Sequence, residues 1–171
     1  MSEQKLEKKL IAAYDKMVKR VTLVIDNTEQ QVLPPLSKVI DNAKQRAIDL
    51  EELTRDEADK LSNYVHRDLS SLTEHLSQTG QDFKTWFNFD LQLVQERVLD
   101  AFAKVADRTS IQLANLANQA KHYQEYHTGE IVGIGTLTCQ NCEHLLNFKK
   151  TSKIPPCPHC HKTIFTRAKQ P

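Results

Sequence analysis

Glycine and proline are nearly absent from the first 128 residues of this 171-residue chain. Gly80, Pro34 and Pro35 are the only examples there, whereas three glycines and four prolines follow residue 128. Aromatic residues make up only 6%, and the longest apolar run near the start is Leu10–Tyr14. A membrane span needs about 20 apolar residues, and the charged stretch Met1–Lys9 is unlike a secretory signal. We therefore expect a mainly helical cytoplasmic protein without a membrane segment.

The formal net charge of +1 hides an uneven distribution along the chain. Residues 139–171 contain six basic residues and one acid, a formal charge of +5, whereas the other 138 residues carry −4. Four thiolates with one divalent cation would reduce the basic excess to about +3. Such a basic segment has two interpretations. It contacts nucleic acid, or it is a solvated tail whose lysines maintain solubility. The candidate phosphate contacts are Lys149, Lys150, Lys153, Lys162, Arg167 and Lys169.

Apolar residues at helical spacing predict three helices before residue 80. The first is capped by Ser2 and must end before Pro34, because proline disfavours helical geometry in the residue before it. The second begins at Pro35 or Leu36. The third follows Thr54, which has capping-box spacing to Glu57, and ends at Thr79-Gly80. The predicted buried faces are Leu6, Leu10, Ala13, Met17, Val21 and Val24; Val39, Ala43, Ala47 and Leu50; and Ala58, Leu61, Val65, Leu69, Leu72 and Leu76.

Two further helices are predicted between residues 81 and 121. The fourth carries a broad apolar face that extends from Phe83 to Val105 and includes Trp86. The fifth begins after Asp107 or Thr109, unless the two form one kinked rod. Long helices joined by short connections pack as an antiparallel bundle or as coiled hairpins. The apolar faces indicate a core or an oligomer interface, because a bundle cofactor needs repeated inward polar ligands.

The composition changes near residues 127–129, where we place a boundary between a helical domain (1–126) and a C-terminal β domain (127–171). Short β segments are predicted at 131–138, 144–148 and 163–166. Gly129, Gly133 and Gly135 do not form a phosphate loop, because the Gly-Lys-Ser/Thr ending is absent. They instead indicate strand bending and close backbone approach. Tyr123, Tyr126 and His127 are expected to pack at the junction.

Four cysteines form two C-x2-C pairs separated by fourteen residues: Cys139, Cys142, Cys157 and Cys160. Each pair is typical of a tight knuckle that directs two sulfurs at one ion, and two knuckles supply a tetrahedron of thiolates. The pattern therefore predicts one structural Zn²⁺ ion, with iron in a similar four-thiolate site as the alternative metal. Because sulfur fills every position, no water is left to be activated, and metal-dependent hydrolysis is not expected.

Three other interpretations of the cysteines are weaker. Cys157-Pro158-His159-Cys160 is also a redox tetrapeptide, but the eleven residues after Cys160 cannot build the domain that such chemistry needs. Disulfides are disfavoured in a reducing compartment. Three nearby histidines could replace a ligand, although four cysteines make this unnecessary; these are His144, His159 and His161.

A unit as small as residues 129–171 needs a metal to fold, because its apolar core is small. Its candidate core residues are Ile131, Ile134, Leu137, Leu145, Phe148, Ile154, Ile164 and Phe165. We therefore expect chelation to unfold this unit and to spare the helices.

The stretch 126–135, followed by Cys139-x-x-Cys142 and Cys157-Pro158-x-Cys160, resembles the YbeL-like family of uncharacterised proteobacterial zinc-ribbon proteins. The segments 52–55 (ELTR) and 67–69 (RDL) are similar to its helical region. The resemblance implies a helical region followed by a zinc ribbon whose ligands are the four cysteines, and it implies no activity. His161 stands where many ribbons carry a glycine with positive φ, which predicts slight strain.

Two functions remain open, and neither is enzymatic. In the first, the helices and the ribbon form a protein-interaction module that binds itself or a partner protein. In the second, the ribbon binds nucleic acid or the transcription machinery through its basic residues, with Phe148 and Phe165 stacking on bases if they are exposed. An enzyme is not expected, because the chain shows no nucleophile–base pair, open metal shell or phosphate loop.

Overall fold

The computed structural model describes residues 3–27, 34–79 and 125–168. Three helices come first: α1 (Glu3–Asn27), α2 (Leu36–Asp49) and α3 (Arg55–Thr79). Six strands follow: β1 (Glu125–His127), β2 (Ile131–Val132), β3 (Gly135–Cys139), β4 (Leu145–Phe148), β5 (Ser152–Lys153) and β6 (Ile164–Arg167). This order confirms the predicted fold class, in which packed helices precede a small antiparallel β region.

The helical core lies where the three apolar faces meet. Most of the predicted residues of α1 and α2 are buried, and Tyr14 and Val18 join them. Val24 and Leu50, however, are 39% and 51% exposed, so their predicted burial is wrong. Leu50 follows the last residue of α2 and caps its end through a bond from its N–H to the carbonyl of Arg46, so it no longer shares the buried face of that helix.

Helix α3 begins with the predicted capping box. The Glu57 carboxylate accepts a hydrogen bond from the Thr54 N–H at 2.9 Å, and the Thr54 hydroxyl accepts one from the Glu57 N–H at 3.3 Å. These two bonds satisfy donors that a helix start leaves without partners. The predicted face from Ala58 to Leu69 is buried. Side chains are described as far as Ser71, so the burial of Leu72 and Leu76 stays a prediction.

Several predictions concern residues outside the described ranges. These are the Ser2 cap, the helix end at Gly80, the fourth and fifth helices between residues 81 and 121, the junction role of Tyr123 and the candidate phosphate contact Lys169. They stay predictions.

The strands form two antiparallel sheets. The larger has the order β1-β6-β3-β4, and the smaller pairs β2 with β5. Together they bury a second apolar core that includes Tyr126, Leu137, Phe148, Ile154 and Phe165. Leu145 and Ile164 are 54% and 38% exposed, so their predicted places in this core are wrong. The predicted segments correspond to β2 to β4 and β6, whereas β1 and β5 were not predicted. Strand β1 extends across the predicted boundary after residue 126, and the division into domains stays a prediction.

The β region packs directly against the helices. Ile131 and Ile134 are buried in the helical core and not in the core of the sheet. The Thr151 hydroxyl donates a hydrogen bond to Asp15 at 2.6 Å, and Lys153 forms an ion pair with Glu3 at 3.1 Å. Apolar and polar contacts therefore hold the β region on α1 and α3. None of the described helices is long and apolar enough to cross a membrane.

Candidate metal centre and the interface that supports it

The four predicted ligands converge at one end of the larger sheet. Their sulfur atoms all lie within 4.8 Å of one another. The Cys139 and Cys160 sulfurs are 3.5 Å apart, and those of Cys142 and Cys157 are 3.6 Å apart. A tetrahedral zinc site with Zn–S bonds of about 2.3 Å has sulfur–sulfur edges of about 3.8 Å. The arrangement of the four sulfurs therefore fits one zinc ion.

The two knuckles have the same backbone geometry. In the first, the Glu143 N–H donates to the Cys139 carbonyl at 2.9 Å; in the second, the His161 N–H donates to the Cys157 carbonyl at 2.8 Å. Glu143 and His161 have φ values of 58° and 60°. This left-handed conformation costs a residue with a Cβ atom about 1–2 kcal/mol. The strain predicted at His161 is therefore present, and Glu143 carries the same strain.

Backbone N–H groups favour the thiolate form at these sulfurs. Desolvation alone would raise the pKa of Cys157. Hydrogen bonds from the N–H groups of Cys160 and His159, together with bonds from the Cys142 and Cys160 thiols, lower that pKa to about 6. The Lys162 N–H lowers the pKa of Cys160 in the same way. Thiolates are the form that binds zinc. The backbone N–H groups of the knuckle thus favour the thiolate form of Cys157 and Cys160, which is the form that binds a cation.

The pKa of Cys142 moves in the opposite direction. The His144 N–H lowers it, but desolvation and proton sharing with the other three thiols outweigh that bond and raise the pKa to about 12. Four adjacent thiolates repel one another, so a sulfur cluster cannot lose every proton without a cation. A divalent ion supplies the charge that removes this repulsion. The site is therefore built for structural metal binding.

The nearby histidines are not part of the ligand set. The four cysteines form the one group of three or more potential ligands within the described residues. The rings of His144 and His159 stack on each other, with centroids 5.9 Å apart and an angle of 11° between their planes. The two imidazoles thus pack side by side on the knuckles while sulfur supplies all four metal ligands.

The candidate phosphate contacts fall into two groups. Lys149, Lys150 and Lys162 are exposed. Lys153 instead forms its ion pair with Glu3, and the Arg167 guanidinium donates a 2.8 Å hydrogen bond to the Ile134 carbonyl. Phe148 and Phe165 are buried, which removes the predicted base stacking from the second function.

Gly135 makes the inward position of Arg167 possible. A Cβ atom on Gly135 would lie 2.6 Å from the central carbon of the guanidinium, closer than two such atoms can approach. The φ of Gly135 is 140°, a conformation that residues with a side chain rarely adopt. The neighbour at Gly135 is thus a side chain and not a second backbone, which differs from the approach predicted for these glycines.

Arg67 and Asp68 form the centre of a buried polar cluster between α3 and the β region. Asp68 is fully buried and accepts hydrogen bonds from the Tyr14 hydroxyl at 2.7 Å and the Gly133 N–H at 2.8 Å. The Arg67 Nε donates to the other Asp68 oxygen at 3.3 Å. We call Tyr14, Arg67, Asp68, Tyr126 and Glu130 the docking cluster. It connects α1, α3 and the β region.

Arg67 makes the remaining contacts of the docking cluster. Its guanidinium forms an ion pair with Glu130, donates to the Ile131 carbonyl at 3.3 Å and lies 3.8 Å from the centre of the Tyr126 ring. Burial alone would lower the pKa of Arg67, but Asp68, Tyr126 and Glu130 raise it, so the side chain remains charged. A buried charge is tolerated only when it is paired and hydrogen-bonded.

Sequence reasoning predicted Tyr126 at the junction and missed the roles of Arg67 and Asp68. Tyr126 is buried beneath Arg67, and its hydroxyl shares a 3.1 Å hydrogen bond with Ser71. In the sequence, Arg67 and Asp68 belong to a segment that resembles the family (67–69) and carry no motif of their own. The one local signal concerns Asp68, which lies three residues after Val65 and seven after Leu61 and so shares the apolar face of α3, where a charge needs buried partners.

Two cysteine knuckles on an antiparallel sheet, with four sulfurs at tetrahedral spacing, define a zinc ribbon. Residues 24–169 match DUF1451, a zinc-ribbon containing domain, and the chain belongs to that family. The uncharacterized protein YbeL of Escherichia coli K12 is 25% identical over 159 residues, which cover 93% of this chain and 96% of YbeL. The proteins of the same name from strains O6:H1 and O157:H7 align with the same values. No solved structure matches the chain.

Proposed function

We propose that this zinc-ribbon protein is a non-enzymatic protein-interaction module. The observation that carries the proposal is the closed shell of four sulfurs at the metal centre. A catalytic zinc needs an open position for water or substrate, so the metal serves to hold the knuckles. The docking cluster supports the same function, because its buried contacts join the ribbon to the helices.

Sedimentation velocity over a range of concentrations, together with affinity capture, tests this proposal. The zinc-loaded full-length protein is compared with Cys142→Ser, which removes one ligand. We expect a concentration-dependent oligomer, or a partner protein that binds the wild type and is lost in the variant. A monomer at every concentration, with no partner enriched over the variant, would contradict the proposal.

Nucleic-acid binding is the second candidate function, and the exposure of Lys149, Lys150 and Lys162 favours it. Contacts to phosphate weaken steeply with salt, because binding releases counterions. The test is fluorescence anisotropy of labelled DNA and RNA with the full-length protein over a salt series. If the ribbon binds nucleic acid, the double variant Lys149→Glu/Lys150→Glu loses binding. The double variant Lys5→Glu/Lys8→Glu, which makes the same charge change on α1, keeps it. Equal effects of the two variants would contradict a ribbon interface.

A further inference from the structure

Strand β4 (Leu145–Phe148) lies at one edge of the larger sheet among the described strands. It is last in the strand order and pairs with β3 alone among the described strands. The Cys139 N–H donates to the His144 carbonyl at 2.9 Å, which makes these two residues a hydrogen-bonded pair. Because such pairs alternate along an antiparallel ladder, Leu145 and Asn147 direct their N–H and C=O groups away from β3. Within the described residues, no other strand uses these groups.

The side chains along this edge are exposed, and charged residues lie beyond both of its ends. Leu145 is 54% exposed and Asn147 is also exposed, and both lie on the face of the sheet away from its core. Glu143 and Lys149 flank the strand, each three residues from Leu146. Both are exposed, and neither forms an ion pair within the part of the chain that the structure describes. The strand thus has an exposed acidic residue beyond one end and two exposed basic residues, Lys149 and Lys150, beyond the other.

This arrangement makes β4 complementary to itself. When two antiparallel copies are aligned about Leu146, Leu145 lies opposite Asn147 of the partner subunit, and the reverse pair is equivalent. Both residues have outward backbone groups, so the two pairs form four hydrogen bonds. Glu143 and Lys149 lie just beyond the two ends of β4, so antiparallel pairing brings the Glu143 end of one copy towards the Lys149 end of the other, twice. A wholly acidic peptide would match Lys149 but oppose Glu143, which favours a second copy as the occupant.

We propose that two copies of this protein associate through antiparallel pairing of their β4 strands. The inference rests on the proposed interaction function and names one surface and one partner for it. An exposed strand edge is a ready template for another chain, and a two-fold contact must be self-complementary. The contact is small, so the dimer forms reversibly and in a concentration-dependent way.

Asn147→Pro and Asn147→Ala form a matched pair for testing this contact. The Asn147 N–H points outward, so proline removes a donor from the partner and none from the bond ladder with β3. Both substitutions remove the 2.8 Å hydrogen bond between Asn147 and the Thr136 hydroxyl. In sedimentation velocity, we expect a dimer for wild type and Asn147→Ala and a monomer for Asn147→Pro. Zinc content and circular dichroism establish that each variant is folded.

A charge exchange gives a test that does not depend on proline. Glu143→Lys and Lys149→Glu each place like charges opposite each other, so each is expected to weaken the dimer about tenfold. The double variant Glu143→Lys/Lys149→Glu restores opposite pairs and is expected to recover wild-type association. Lys162→Glu makes the same charge change away from β4 and serves as the control.

The outcomes separate this inference from the proposed function. Weaker dimerisation in both single charge variants, with recovery of dimerisation in the double variant, supports β4 pairing. If the dimer persists unchanged in Asn147→Pro and in the single charge variants, β4 pairing is overturned. The proposed interaction function is not affected by that result. A wild type that is monomeric at all concentrations also overturns β4 pairing, and partner capture then decides the interaction function.

Discussion

The carboxylate of Asp68 on α3 and the backbone N–H of Gly133 in the ribbon are joined by a 2.8 Å hydrogen bond. The bond links residues 65 positions apart, and Asp68 is fully buried. Its second partner on the same oxygen is the Tyr14 hydroxyl of α1. One carboxylate therefore ties two helices and the ribbon together, and we expect the docking cluster around it to couple metal binding in the ribbon to the stability of the helices.

Asp68→Ala is expected to lower the free energy of unfolding by about 3–5 kcal/mol, because it leaves the charge of Arg67 buried without its neighbouring carboxylate. Asp59→Ala on the same helix is the control. Asp59 is 62% exposed and pairs with Lys44 at the surface, so its loss should cost at most about 1 kcal/mol. Urea denaturation followed by circular dichroism measures both values. Equal losses would show that the docking cluster contributes little to stability.

Metal binding is expected to depend on cysteine and not on histidine. Cys142→Ser should lower zinc affinity by more than about 100-fold. Mutation of a residue that only contacts a metal ligand costs about 10–100-fold, and loss of the ligand itself should cost more. His144→Ala and His159→Ala should each keep one zinc ion per chain. Elemental analysis after dialysis against a weak chelator measures the stoichiometry. Loss of zinc in either histidine variant would contradict the four-sulfur shell.

His161→Gly is expected to stabilise the zinc-loaded protein by about 1 kcal/mol, because glycine adopts a φ of 60° without the clash that a Cβ atom causes. Lys162→Gly is the matched change at the next position, where φ is not positive, and it should destabilise the protein. Thermal unfolding with excess zinc compares the two variants. A lower melting temperature for His161→Gly than for wild type would argue against strain at this knuckle.

The stability of the protein should fall as the pH decreases through about 6.5, partly because of His66. Burial lowers the pKa of His66 in the folded state, and Asp41 offsets only part of this effect. The unfolded chain therefore takes up the proton first, so stability is lost below the unfolded pKa. His66→Gln should reduce the slope of stability between pH 7 and pH 5.

His127→Gln, which removes an exposed imidazole, is the control for this pH series. Chemical denaturation at each pH gives the slopes, with zinc in excess because protons also compete for the thiolates. A slope in His66→Gln equal to that of wild type would exclude His66 as a source of the pH dependence.

Local sequence signals predicted the elements whose causes are themselves local. The Thr54–Glu57 capping box, the face of α3 and the two cysteine pairs each depend on residues within a few positions of one another. Strands β1 and β5 were missed because each is only two or three residues long and is defined by a distant partner. β1, for example, pairs with β6, 37 to 41 residues later.

The docking cluster was missed for a related reason. A charged pair such as Arg67-Asp68 is normally solvent-exposed in a helix, and only the tertiary contacts with Tyr14 and Gly133 explain its burial. The same contacts change the expectation for metal removal. Since Ile131 and Ile134 complete the helical core, loss of the ribbon should weaken the helices as well as unfold the sheet.

Hydrogen–deuterium exchange of the full-length protein, before and after zinc chelation, tests this coupling most directly. We predict that chelation removes protection from strands β3, β4 and β6 and also accelerates exchange in the peptide that contains residues 61–71 of α3. Helical circular dichroism at 25 °C should persist, with a lower melting temperature. Unchanged exchange in α3, despite full exchange of the ribbon, would contradict the account and leave the helices independent of the metal centre.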